Sequence, residues 1–302
     1  MTWCYAYWDD QHVSVRVHGA HYSRVAWSDA QLGWTIPETN LAGTHAVAHV
    51  DRGAVKDLGL LHWSVPQVEQ AQPVQVQITL ESADGSTLAR NSLDVLVLSS
   101  RARQPAFKEP LAAIGRGDLE QSMGLLGYRT TSQLTPNTNV AVTNYPNTDL
   151  LRWVRAGGDL LFLSCNGPSP FFWTQQRSGA YAGDWTTSFS WLRPEIHPRL
   201  TITNPLSLPF LHVMPTHTIL GLPVSDPTVQ ADFLAGMVSG WVRQPAIHTV
   251  QFRYGRGRVI MTTFALEEAL PDDPVGVAML HDLIDHLCSD ACQPILTANY
   301  EL

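Results

Sequence analysis

A chain of 302 residues is long for one domain, since domains usually run to ~100–200 residues, so two are expected. Hydrophobic residues make up 44% and charged residues 15%, enough for full cores, which excludes disorder as the starting point. The net charge of -8, with nineteen scattered Lys and Arg, excludes a nucleic-acid partner, and no apolar run approaches the ~18–20 residues that span a membrane.

The amino terminus, MTWCYAYWDD, has no basic segment followed by an apolar stretch and does not read as a signal peptide. Residues 1–105 then read as strands. HVSVRVHG (His12–Gly19), VQVQITLES (Val74–Ser82) and LDVLVLSS (Leu93–Ser100) alternate apolar and polar residues, and Asp84-Gly85 between the last two signals a hairpin turn. Short strands at this spacing, with no helical period between them, predict an all-β sandwich. His12, His18, His21, His45, His49 and His62 fall on this region without a metal-ligand spacing and are read as surface or half-buried side chains.

From 106 to 302 the period changes. DLEQSMGLLGY (Asp118–Tyr128) has helical spacing, and NVAVTNYP (Asn139–Pro146) is a short apolar strand. NTDLLRWVRAGG (Asn147–Gly158) is an amphipathic helix with a capping residue at its start and Gly-Gly at its end. DLLFLSC is the next buried strand, and strand–helix–strand within ~30 residues predicts a parallel α/β sheet. HTVQFRYGRGRVIMTTFAL (His248–Leu266) reads as two strands joined at Tyr-Gly-Arg-Gly, and PVGVAMLHDLIDHLC (Pro274–Cys288) as a closing helix with Pro at its first turn. Between these elements, near 166–240, lies an aromatic-rich insertion without clear period.

Two groups of residues carry possible chemistry. The run Leu160–Leu163 delivers Cys165 into a turn of Asn166, Gly167, Pro168 and Pro170. A thiol needs a base to ionise near neutral pH, and Pro168 and Pro170 remove backbone donors from the turn that follows. A packed strand-end cysteine is therefore preferred over a nucleophile. The insertion carries Trp173, Tyr181, Trp185 and Trp191, flat rings suited to contact with a protein partner or to stacking on a sugar. Trp34, Trp63 and Trp153 are read as core. The four cysteines, Cys4, Cys165, Cys288 and Cys292, are too few and too spread to staple the chain, pointing to a reduced, cytoplasmic setting. Cys288 and Cys292 beside His281 and His286 are half a metal site at most, so no metal and no cofactor is expected.

The order of pieces resembles the carboxyl-terminal part of family 2 glycoside hydrolases. A Trp strand (SDAQLGWTI) is followed by Gly53, Val55, Leu58, Gly59 and Pro66, then by Gly85, Leu88, Ala89 and Asn91, over roughly Trp27–Leu98. This resembles the immunoglobulin-like domain that follows the barrel in that family. RWVRAGGDLLFLS and FRYGRGRVIMTTFALEEAL resemble a flavodoxin-like, class I glutamine amidotransferase-like domain. The resemblance implies a multi-domain chain, an immunoglobulin-like sandwich (1–105) before an α/β amidotransferase-like domain (106–302). It also implies a missing catalytic barrel of the parent chain, or a second subunit, as partner, with carbohydrate as a further one. The glycosidase family places Asn-Glu and a later Glu on its barrel, and no Asn-Glu dipeptide occurs here. The amidotransferase pattern would place His before Glu after the last strand; here Phe264, Ala265, Leu266 and Glu267 stand there, so the Glu is kept and the base is absent. The expected function is a non-catalytic module of a glycosidase. The alternatives are a cysteine hydrolase or amidotransferase using Cys165 and Glu267, or a carbohydrate-binding module.

Overall fold

The computed structural model describes residues 5–24, 26–37, 39–164, 169–176, 190–239 and 244–299. It is a β-rich, multi-domain chain that divides into two compact units, Met1–Ser100 and Arg101–Leu302.

In the first unit the strands are β1 (Ala6–Trp8), β2 (His12–Ala20), β3 (Ala30–Ile36), β4 (Leu41–Val47), β5 (Val55–Ser64), β6 (Gln72–Glu81) and β7 (Thr87–Leu98). Five pair in the order β1-β7-β6-β3-β4, and β2 pairs with β5. Alternation explains the layering: along β3 the even-numbered residues Ala30, Leu32, Trp34 and Ile36 are buried, and the odd ones are not. Residues of both sheets share one core, including Val13, Leu61 and Trp63 from one and Leu32, Trp34 and Val76 from the other. Trp34 and Trp63 meet across it with ring centroids 5.8 Å apart. The indole of Trp34 lies over Gly43, where a Cβ would come within 2.5 Å of its Nε1, so that strand position admits no side chain. The Asp84-Gly85 turn forms as expected. Gly85 takes φ 81°, and the Asp84 carboxylate accepts from the Ser82 hydroxyl (2.6 Å) and the Ser86 N–H (2.9 Å), which hold its pKa down at about 2.

The second unit contains β8 (Leu111–Ala113), α1 (Leu119–Leu125), β9 (Thr130–Thr131), β10 (Val140–Thr143), α2 (Thr148–Arg155) and β11 (Asp159–Leu163). They are followed by β12 (Trp173–Gln176), β13 (Ser190–Leu192), β14 (His217–Leu220), β15 (Phe233–Ser239), β16 (Gln244–Tyr254) and β17 (Gly257–Thr262). Two helices close the unit, α3 (Leu266–Ala269) and α4 (Pro274–Leu287). The strands β9-β8-β10-β11-β17 are parallel in that spatial order. The central runs are buried on both faces: β10 is buried throughout and β11 nearly so, whereas the edge strand β9 is a half-buried Thr-Thr pair. Asn147 caps α2, its Oδ1 accepting from the Leu150 N–H at 2.9 Å, and Gly157 leaves the helix with φ 123°. Beyond β17 the sheet turns antiparallel through β16, β14 and β12, with β15 on β16 and β13 on β15.

This antiparallel extension corrects the reading of 166–240 as lacking period. Four of its strands lie within that insertion, separated by Pro-led 3-10 turns at Pro194–Ile196, Leu208–Val213 and Pro227–Asp232. Strands of three to seven residues, separated by proline breaks and in β15 largely buried on both faces, carry too few alternations for a two-residue period to stand out. No helix among the described residues is long and apolar enough to cross a membrane.

Candidate functional site

In the parallel part of the sheet the chain leaves β8 toward β9 on one side and reaches β10 on the other. Their connections diverge at the carboxyl ends of β8 and β10, where open α/β sheets bind ligands. After β8 comes Gly115-Arg116-Gly117, and after β10 comes Asn144-Tyr145. The Asn144 side chain clamps the first loop. Its Oδ1 accepts from the Arg116 N–H (2.8 Å), and its Nδ2 donates to the Arg116 carbonyl (2.9 Å). The same amide nitrogen donates to Glu267 Oε1 at 2.5 Å, so residues 123 apart in sequence meet. The clamp needs glycine at 115, because a Cβ there would lie 2.1 Å from Asn144 Oδ1, and Gly117 takes φ 67°. The Arg116 guanidinium sits 3.5 Å above the Tyr145 ring centroid, a cation–π contact that fixes its charge over the loop.

At the end of β11, Ser164 is 1% exposed and its hydroxyl has no hydrogen-bond partner among the described residues; its N–H donates to the Thr262 carbonyl at 2.7 Å. The edge therefore carries a fixed cation and a clamped carboxylate, with a buried hydroxyl beneath. Among the described residues it does not show a nucleophile in contact with a base.

Of the residues singled out from sequence, Cys165, Tyr181 and Trp185 lie outside the described residues. Glu267 stands on α3 in the contact just given. Ala265 is the residue before α3, and its N–H donates to the Val213 carbonyl at 3.1 Å. The residue before Val213, His212, turns its ring to a different partner. His212 Nδ1 is 3.3 Å from Oδ2 of Asp273, the residue that caps α4; its Nε2 is buried without a partner among the described residues. Burial raises the Asp273 pKa. Trp173 opens β12 at 77% exposure, whereas its neighbours Phe171 and Phe172 point inward, with ring centroids 5.0 and 4.9 Å from Phe252. Trp191 is half-buried on β13 and packs on Gly236, where a Cβ would lie 2.9 Å from its ring. Trp34 and Trp63 are core as expected, and Trp153 packs half-buried against the core of the second unit.

Cys288 and Cys292 are free thiols that burial pushes up to about 12 and about 11, and no group of three metal-ligating side chains occurs among the described residues. The surrounding polar groups of α4 are tied structurally. The Tyr128 hydroxyl pairs with His281 Nδ1 at 2.6 Å, and Arg199 bridges Asp282 (2.6 Å) and Asp285 (2.7 Å). His286 pairs with Gln251 at 2.8 Å, and Gln251 donates to Asp232 at 2.9 Å.

Arg116, Asn144 and Tyr145 were not singled out in the sequence. The signal was present in the Gly-Arg-Gly and Asn-Tyr-Pro turns directly after two apolar strands. Comparison of the chain with protein-family models and with curated proteins gives no match.

Proposed function

We propose that the chain is a non-catalytic, carboxyl-terminal module of a family 2 glycoside hydrolase, serving carbohydrate metabolism through contacts with the catalytic barrel or a second subunit or by shaping the substrate entrance. In this reading the first unit is the immunoglobulin-like sandwich and the second the flavodoxin-like, amidotransferase-like domain. Numbered by appearance, the parallel strands β9-β8-β10-β11-β17 run 2-1-3-4-5, the order of flavodoxin-like sheets, which supports the second assignment. The observation that carries the non-catalytic reading is the state of the last strand's exit. Glu267 is held by the Asn144 amide, and Ala265 fills the base position with its N–H bound to Val213.

The purified chain should hydrolyse neither nitrophenyl β-galactoside, nitrophenyl β-glucuronide nor glutamine. Turnover of any of the three that is lost in Glu267→Gln would overturn the reading. Iodoacetamide at neutral pH should leave Cys165 unmodified; rapid alkylation there would favour the cysteine-hydrolase alternative. Trp173, exposed on an edge strand, favours a second reading, stacking on a sugar face. Titration with β-linked oligosaccharides should then change tryptophan fluorescence in the parent and not in Trp173→Ala. An unchanged signal in the parent at millimolar sugar removes this second reading.

A further inference from the structure

The first unit holds a second arrangement, independent of the reading above. Trp27 pairs with Val50 and Ala30 with Val47, a constant register that sets Ser28 opposite His49. Ser28 Oγ lies 2.9 Å from His49 Nδ1, and His49 Nε2 lies 3.0 Å from Asp51 Oδ1. The carboxylate accepts the Nε2 hydrogen, which leaves the Nδ1 lone pair facing the serine hydroxyl. This is the Ser–His–Asp order of an acyl-transfer relay, with the two ring nitrogens exchanged. The Lys56 ammonium donates to the His49 carbonyl at 2.6 Å and steadies the same segment.

Two further observations converge here. Asp29, directly after Ser28, has φ 52°, a left-handed backbone uncommon outside glycine and often found where function holds the chain in place. A groove of about 490 Å³ begins one residue beyond Ser28; it is lined by Asp29, Gln31, Ala46, Glu81, Ala83 and Gly85, and the three side chains of the relay stand outside its lining.

We propose that Ser28, His49 and Asp51 form an acyl-transfer site that hydrolyses short-chain esters of neutral alcohols. Small side chains in the groove suit a short acyl group, and Asp29 and Glu81 repel an anionic one. Ser28 Oγ attacks the acyl carbon while its proton passes to His49 Nδ1. The ester C–O bond then breaks, and the alcohol leaves with that proton. Water, deprotonated by His49, cleaves the acyl-serine to release the carboxylic acid and restore the hydroxyl. Asp51 is 83% exposed and His49 53%, so solvent screens the carboxylate and the relay is a slow one.

The test is hydrolysis of nitrophenyl acetate and butyrate, together with labelling by diisopropyl fluorophosphate followed by peptide mass mapping. All three side chains are on the surface, so their substitution spares the core. Surface imidazoles hydrolyse nitrophenyl acetate by themselves, and Ser28→Ala is therefore the deciding variant. The phosphoryl label should map to Ser28. Ser28→Ala and His49→Gln should each lose at least about 10-fold in turnover, and Asp51→Asn about 3-fold, since proton transfer matters more here than a screened charge. Labelling that misses Ser28, or turnover unchanged in Ser28→Ala, overturns the proposal.

Discussion

The Asn144 clamp depends on one missing carbon. Gly115→Ala would drive a methyl group into the amide that holds Arg116 and Glu267 together. Such overpacking costs about 1–3 kcal/mol, which should appear as a lower urea midpoint. An unshifted midpoint would mean the loop moves freely, and the clamp would lose its meaning. The buried histidines act through protonation. Burial lowers His281 to about 4 and His197 to about 3, so the folded chain keeps both neutral while an unfolded chain protonates them below about 6.5. Their folded values are depressed, so the stability they contribute is full above the unfolded value and drains as pH falls toward the folded ones. In His281→Asn that dependence is removed. The variant's stability deficit relative to the parent should therefore shrink between pH 8 and pH 5, by roughly 2 kcal/mol for His281. Urea titrations at the two pH values check this, and a deficit independent of pH would contradict it.

At the scale of elements, caps and turns were legible because they are local. The Asn147 side chain and the glycines after α2 lie within a dozen residues of one another, and the helix starts and stops where that chemistry says. Asn147→Ala removes the bond to the Leu150 N–H and should cost about 1 kcal/mol by chemical denaturation. A neutral effect would place the start of α2 under tertiary control instead. The antiparallel strands beyond β16 were not legible, for the reason already given, and neither was the inward turn of Phe171 and Phe172 beside an outward Trp173. Which of three consecutive aromatics is buried depends on Phe252, some eighty residues away, and not on neighbours in the chain.

At the scale of the whole molecule, each unit has a core of its own. Leu61, 2% exposed, belongs to the one shared by the sheets of the first unit. Leu61→Ala should lower stability by about 2–5 kcal/mol. A loss well under 1 kcal/mol would show that the two sheets close around the gap and that the core is less tightly packed than the Trp34–Trp63 contact implies.

By itself the sequence determined that strands with a two-residue period precede a region of alternating strands and helices, and where many of their turns and caps fall. Those features follow from backbone sterics and from hydrogen bonds within a few residues. Tertiary structure alone decided that β8 lies between β9 and β10, that Asn144 reaches Glu267, that Ala265 bonds to Val213, and that Ser28 faces His49. Each of these is a pairing between distant segments. It is selected by the burial and hydrogen bonding of a whole sheet, and no short window of sequence contains that information.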